Sequence, residues 1–501
     1  MLRTVIAVAC CVLGQLLAQR AAAQPNRNNL WLGGFQQLAG PPGGGIRISF
    51  DENSREVYPL PSWIGFFRTN ANITDTEGNL QFSTNGAFLG DALGDTLQNG
   101  TGLNPSNYTS AYPEGLHGSQ WTLILPKPES STVYWLFHCT ADRQSPNAYA
   151  LQLYRTTVDM SLNGGLGAAV LKNEVLIADS LVAGRITAVR HANGRDWWVL
   201  CHRLNSDIYY RMLVTPNGAS APDQQAIGVE RVYAGGQACF SPQGNYFAYY
   251  RGTAGEDLDI FGFDRCTGLF SNAVHIVIND VDLVGGVAFS PSGRYLYVSS
   301  VDRVYQFDTW AADITASRIT IAVWDGFYSP SPPFATMFDI AQLAPDGKIY
   351  IGTGNSTLHL HVINYPDSAG LACGMVQHGV ELPRYFMNSL PNHPNYHLGP
   401  VDGSVCDSLG IDSGVSEEEL EQALRVFPNP SNGAFNISYA AQTTAGNLEV
   451  LDATGHMVHS ARLPAWSTTH SVQLHAAPGL YHCRLRLGAQ SISTRIVIVE
   501  P

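Results

Sequence analysis

The feature that most restricts this chain is a recurring hairpin. Six segments, NITDTEGNLQFST, WTLILPKPESSTVYWLFH, ITAVRHANGRDWWVLCH, ACFSPQGNYFAYY, VAFSPSGRYLYVSS and IAQLAPDGKIYIGT, each pass from an apolar strand through a tight polar turn into a second strand. That second strand is rich in aromatic and β-branched residues, the composition of a pleated, half-buried surface. Turn glycines Gly194, Gly244, Gly293 and Gly347 stand 50, 49 and 54 residues apart, and Gly78 precedes Gly194 by 116, room for two units. Third and fourth strands follow, such as DLDIFGFD, RVYQFD and AVHIVI. Four antiparallel strands in each repeat of roughly 40 to 50 residues, with hardly any helix between them, predict the blades of a β-propeller. A solenoid needs parallel coils of shorter period, and a single sandwich cannot absorb residues 30–401. The expected fold class is therefore all-β: a seven-bladed propeller, with six blades as the alternative, followed by a small immunoglobulin-like β-sandwich. The seventh blade is expected to draw on both ends of the repeat region, a strand near 386–390 joining 30–33, 46–50 and 56–60. Such closure would hide the edges that an open sheet exposes.

Composition supports this and excludes other classes. Only 14% of the 501 residues are charged, whereas 49 are Gly and 28 are Pro, a balance of many turns and little surface helix. The formal charge is −13 and the only lysines are Lys127, Lys172 and Lys348, so no basic face is available for nucleic acid. Arg3, the apolar stretch 4–18 and Ala21, Ala22 and Ala23 form a secretory signal over 1–23, with Gln24 as the first mature residue. That stretch is short for roughly 30 Å of hydrocarbon, and no later window approaches about 20 apolar residues, so no transmembrane anchor is expected. Export permits disulfides. Cys10 and Cys11 leave with the signal, and seven cysteines remain. Cys139 and Cys201, inside strand-like runs, read as small buried hydrophobes, and Cys373 with Cys406 is the expected pair.

After the propeller region 24–401, residues 402–424 form a polar, acidic linker in which Ser416 and Glu419 have capping-box spacing. Residues 425–501 are short alternating strands with turns at SNG and ATG, the pattern of a small sandwich.

Two resemblances follow. SPSGRYLYVSS and APDGKIYIGT resemble the repeats of WD40-like and lactonase-like propellers. They are closer to the propellers of Bacteroidetes exported proteins, which MSLNGGLGAAV, RHANGRDWW, FDRCTG and SLPNHPNY also resemble. This likeness covers 30–401 and implies a fold and a lineage, with no chemistry to carry over. FPNPSNGAFNIS, LEVLDATGHMV, APGLYHCRLRLG and STRIVIVE, in that order, resemble the type A sorting domain of the type IX secretion system over the whole of 425–501. Pro428, Asn429, Pro430, Gly433, Gly455, Gly479 and Tyr481 occupy its motif positions. Here Pro428 and Pro430 would fix an extended entry, and the glycines would allow tight turns. The resemblance implies passage through the periplasm, translocation by the type IX machinery to the cell surface or medium, and removal of the domain by a sortase-like peptidase.

No GxSxG elbow, HExxH helix, P-loop or nucleotide-binding GxGxxG stands out. GPPGGG lacks the Lys and helix of a phosphate cradle and reads as a loop. His359 and His361 would share one strand face, as two metal ligands must, but no third ligand is nearby; no metal or other cofactor is expected. Pro391 and Pro394 forbid a helix carrying His393 and His397. His191, Asn193 and Asp196 belong to a hairpin turn that favours these residue types for backbone reasons. Topology suggests a site instead, because the connections between successive blades emerge on one face. Three of them carry surplus aromatics: Tyr108 and Tyr112; Trp324, Phe327, Tyr328 and Phe334; and Tyr385 and Phe386. Such rings suit sugar stacking or protein contact. The expected function is a secreted, non-catalytic glycan- or protein-binding or adhesion module. The alternative is a propeller hydrolase or lactonase using acidic or His residues at the channel mouth.

Overall fold

The computed structural model describes residues 26–35, 41–50, 54–60, 64–142, 148–252, 255–280, 285–401, 403–407, 424–439, 445–465, 467–487 and 490–499. The signal 1–23 and the capping box at Ser416 lie outside them. The chain forms two compact units, 1–408 and 409–501.

Among the described residues the first unit is a succession of seven antiparallel sheets taken in chain order. The first pairs Leu30–Phe35, Gly44–Phe50 and Arg55–Leu60, and the second pairs Ala71–Thr74, Leu80–Thr84 and Leu89–Gly90. The third comprises Thr122–Pro126, Val133–His138, Tyr149–Asp159 and Ala168–Val182. The fourth comprises Thr187–Arg190, Trp197–His202, Ser206–Thr215 and Asp223–Arg231, with the short Gly218–Ala219 beside the third of these. The fifth is Gln237–Phe240, Tyr246–Tyr250, Leu258–Asp264 and Leu269–Ile276; the sixth is Gly285–Phe289, Tyr295–Ser300, Arg303–Asp308 and Ile319–Val323. The seventh is Phe338–Leu343, Ile349–Thr353, Thr357–Ile363 and Met375–Phe386.

Each of the six hairpins supplies the first two strands of one of the second to seventh sheets. Four of their turns share one geometry. Gly194 N donates to His191 O, Gly244 to Ser241 O, Gly293 to Ser290 O and Gly347 to Ala344 O, at 2.8–3.0 Å. These four glycines have φ between +72° and +75°, where a Cβ would be strained. Asn193, flanking the first of them, uses its side chain to tie Arg195 N and Asp196 N at 3.0 Å, confirming the turn reading of that segment.

Apolar residues of neighbouring sheets pack face to face. Tyr250, Ile260, Val287 and Phe307 share a cluster between the fifth and sixth sheets, and Tyr297, Phe338 and Ile351 another between the sixth and seventh. Trp31, Ile46 and Ile48 of the first sheet pack with Tyr350, Leu360 and Phe386 of the seventh. The expected joint strand does not form. The first sheet keeps three strands, and Phe386 ends the last strand of the seventh, opposite Thr357. Residues 387–390 run beside the first sheet without a ladder, because the Asn70 amide donates to both Leu32 O and Ser389 O at 2.6 Å and takes the place of direct pairing.

Beyond that point residues 388–401, the axial segment, bond to one sheet after another. Asn388 donates to Asp339 Oδ2 at 2.6 Å. Asn392 donates to Thr122 O and Ile186 O at 2.9 Å and accepts from Gln120 Nε2 at 3.1 Å. His393 Nε2 bonds Asn72 O, Asn395 bonds Pro242 O, Tyr396 bonds Ile124 O, and Val401 N bonds Ala192 O, all at 2.7–2.8 Å. One short segment thus bonds to the leading strands of the second, third and seventh sheets and to residues flanking those of the fourth and fifth. Residues 391–398 form no helix, as the prolines require.

The cysteine pairing differs from expectation. Cys406 is bonded to Cys266, with the Cα atoms 5.5 Å apart, and so staples the end of the axial segment to the turn after the third strand of the fifth sheet. Cys373 is a free thiol, fully buried in the cluster between the sixth and seventh sheets, where it packs as a hydrophobe. Cys139 and Cys201 are free and buried, as read.

The second unit has a sheet of Leu424–Phe427, Ala434–Tyr439 and Thr469–Gln473, and another ordered Met457–Leu463, Gly446–Leu451, Gly479–Leu487, Gln490–Ile498. Phe435, Ile437, Leu448, Val450, Cys483 and Ile496 from the two sheets make one core.

Candidate functional site

In each four-stranded sheet the strands alternate in direction, so the chain leaves at the end opposite the turn between its first two strands; from the three-stranded second sheet it returns to that end through 96–100, which bond back to Leu89 and Gly90. The Asn99–His117 connection carries a short helix, Asn107–Ala111, capped by Ser106 Oγ accepting from Thr109 N at 3.0 Å. That cap sets Tyr108 against Tyr112, ring centroids 4.7 Å apart, and His117 lies 4.3 Å from Tyr112 and 4.9 Å from Phe67. Burial, then Tyr112, pushes the Tyr108 phenol up to about 12; burial, then the Arg68 guanidinium, lowers the His117 imidazole.

In the connection after the sixth sheet, Trp324 meets Tyr328 edge-on at 5.6 Å. Phe327 stacks on His378 at 4.2 Å and meets His359 edge-on at 5.4 Å. His378 pairs with Asp325 at 3.0 Å and His359 with Ser329 Oγ at 2.7 Å, so both rings are held in place. Thr336 closes the loop by donating its backbone N–H to Phe327 O at 3.1 Å. Phe327 and Tyr328 remain 37% and 38% exposed. Phe334 stacks on the buried Tyr385 at 5.6 Å. Phe386 is displaced from the expected site. It is 1% exposed and fills the space that Gly33, lacking a side chain, leaves in the core. The structure thus brings Tyr108 to Tyr112, Trp324 to Tyr328, and Phe334 to Tyr385; among the described residues no ring contact joins the first pair to the second.

His361, two residues from His359, is fully buried, accepts from His378 N at 2.9 Å and is pulled down to about 3 by burial. Among the described residues no group of three His, Cys, Asp or Glu side chains is placed to hold a metal ion.

Sequence reasoning missed a cavity between the leading strands of the fourth to seventh sheets and the axial segment. It measures about 210 Å³ and is lined by residues including Phe240, Leu343, Gln342, His393, Asn395 and His397. Its walls come from four sheets and the axial segment, and no local pattern marks them as neighbours.

In the second unit, Asn429 makes with its side chain the two bonds that a strand backbone would make. It donates to Arg495 O and accepts from Val497 N at 2.9 Å. Pro428, Asn429 and Pro430 consequently form a bend against the last strand, not the extended entry expected. Gly433 has φ +101°, and a Cβ there would come 2.5 Å from Leu474 O. Gly455 closes a turn by donating to Asp452 O at 3.0 Å. Gly479 instead starts a strand and needs no left-handed backbone. Tyr481 is buried and donates to Ala477 O at 2.7 Å.

The second unit is thus a small β-rich module of two packed sheets. Residues 425–499 match the family described as secretion system C-terminal sorting domain. The chain is thus cargo of the type IX secretion system, destined for the cell surface or outer membrane. No helix among the described residues is long and apolar enough to cross a membrane. No curated protein shows significant sequence similarity to the chain. Among solved structures, it is similar to a candidate 6-phosphogluconolactonase of Bacteroides uniformis, with 13% identity over 72% of this chain and 98% of that one at a TM-score of 0.45. It is also similar to a gluconolactonase of Xanthomonas campestris (12%, 67% and 90%, 0.30) and to the Dos1 propeller (12%, 65% and 87%, 0.36). The chain is all-β with propeller-like neighbours, and likeness at this level carries no argument about chemistry.

Proposed function

We propose that this cargo is a non-catalytic binding module: a seven-bladed propeller over 24–401 that takes a glycan or a protein at its loop end. A linker over 402–424 joins it to an immunoglobulin-like sorting domain over 425–501, which engages the type IX machinery. Seven successive sheets, and the cluster shared by the first and seventh, support the blade count. The observation that carries the binding reading is the exposed pair Phe327 and Tyr328, held from behind by His378, His359 and Trp324. Fixed, exposed rings lose little side-chain entropy on contact and offer apolar faces to sugar C–H groups or to a partner's side chains. The test is a glycan and peptide array probed with the intact protein and with Phe327→Ala, Tyr328→Ala and Tyr108→Ala. The first two variants should lose about tenfold or more in affinity, the effect of about 1.4 kcal/mol. Unchanged binding in all three would refute the site.

A second reading, hydrolase or lactonase, draws on Asp339. This buried carboxyl at the loop end of the axis is raised above the usual range by burial, against the opposing influence of Arg68 and Asn388. Turnover of a lactone or ester panel that is abolished by Asp339→Asn would favour that reading over the first.

A further inference from the structure

None of the aromatic rings of the loop sites lines the cavity, and its chemistry is distinct from theirs. His393 is more than nine-tenths buried. Its Nε2 lies 2.7 Å from Asn72 O, which can only accept, so Nε2 carries the proton and Nδ1 presents a lone pair. His397 repeats the arrangement: Nε2 donates to Asn28 Oδ1 at 3.0 Å, leaving Nδ1 as an acceptor. Among the described residues neither Nδ1 has a protein partner, and both residues line the cavity. Burial pulls the His393 imidazole down to about 4, which keeps this neutral, accepting form at physiological pH.

The rest of the lining narrows the ligand class. It contains no Asp, Glu, Lys or Arg; it presents amides, hydroxyls, the Cys239 thiol, backbone groups and apolar faces such as those of Val287, Phe240, Leu343 and three prolines. A phosphate or carboxylate would enter without a counter-charge, at a desolvation cost nothing there offsets. Cys239 also lines the cavity, but among the described residues no three His, Cys, Asp or Glu side chains are placed to hold a transition metal. An uncharged molecule that donates hydrogen bonds from hydroxyls and packs C–H faces on apolar walls satisfies both orphan acceptors. The volume of about 210 Å³ corresponds to about seven waters at roughly 30 Å³ each, the scale of one small ring. Leu343, Pro242 and Asn395 are half-buried, so the cavity has a mouth.

We propose that the axial cavity is a binding site for a neutral polyhydroxylated small molecule of monosaccharide size, held by hydroxyl donors to His393 Nδ1 and His397 Nδ1. The site is independent of the aromatic loops.

The test is calorimetric titration of the intact protein with glucose, galactose, mannose and myo-inositol, and with gluconate and glucose 6-phosphate as charged counterparts. Variants are His397→Phe, which removes one acceptor, Leu343→Trp, which blocks the mouth and leaves both histidines intact, and the double variant Phe327→Ala/Tyr328→Ala. At least one neutral ligand should bind with a Kd of about 1 mM or tighter. His397→Phe should weaken it by about tenfold, the effect of losing one buried hydrogen bond, and Leu343→Trp should abolish it. The charged counterparts should not bind, and the loop double variant should bind as the parent does. Absence of binding by every neutral ligand would overturn the proposal and leave a water-filled cavity. Binding untouched by Leu343→Trp, or lost in the loop double variant, would overturn it by placing the ligand elsewhere.

Discussion

Replacing Asn392 with Ala tests whether the axial segment clamps the sheets. The side chain makes three hydrogen bonds, to Thr122 O, Ile186 O and Gln120 Nε2, and is 7% exposed. Each bond contributes about 1 kcal/mol net, and each buried carbonyl deprived of its donor raises the cost toward 1–3 kcal/mol, so the expected loss is about 4 kcal/mol. For a unit spanning 1–408, an unfolding entropy of roughly 2.1 cal/mol/K per residue converts that loss to a fall of about 4–5 °C in Tm. The assay is urea and thermal unfolding followed by tryptophan fluorescence. Trp197 is a local reporter, since its ring lies 6.0 Å from that of Tyr396 in the axial segment. Asn217→Ala, at an exposed turn, is the control and should stay within about 0.5 kcal/mol of the parent. If Asn392→Ala matched that control, the segment would be a passenger on the axis and the clamp reasoning would fail.

Three other outcomes are expected. Cys266→Ser/Cys406→Ser removes a crosslink spanning 140 residues; loop-closure entropy sets its contribution at about 5 kcal/mol at most. The variant should unfold earlier and be cleaved sooner near 399–407 in limited proteolysis, and equal midpoints with and without reductant would contradict the staple. His138 and His361 at about 3 and His393 at about 4 are held neutral by burial. The unfolded chain therefore binds more protons below about pH 6.5: stability is full above that value and declines as pH falls toward 4, by about 3 kcal/mol for His393. His393→Gln should flatten the decline, and an unchanged slope in that variant would count against the assignment. Gly433→Ala, combining a left-handed φ with a Cβ 2.5 Å from Leu474 O, should cost about 1–3 kcal/mol. It should leave more cargo in the periplasm on immunoblots of cell fractions; normal export would show that the turn tolerates a side chain.

The hairpins were legible because their information is local. Alternation along ACFSPQGNYFAYY and a glycine at a fixed place decide the two strands and the turn between them, and the structure places Gln237–Phe240 and Tyr246–Tyr250 there. The sorting domain was legible for a similar reason, since its motifs are contiguous runs in the sequence. Within single loops, Tyr108 could be set beside Tyr112, and Trp324 beside Tyr328, from proximity along the chain. The axial segment was not legible. Asn392 acts on residues 270 and 206 positions away, and His393 on one 321 away, and nothing in NHPNYH states which carbonyls those amides and rings will meet. Cys406 chose Cys266 over Cys373 for the same reason, and Phe386 left the exposed rings for the core because Gly33 stood opposite it. Local periodicity and turn chemistry thus determined the strands, their order and the export tag. The partners of buried polar groups, and the cavity they leave, were decided when distant sheets came together, because a hydrogen bond depends on position in space and carries no trace of separation along the chain.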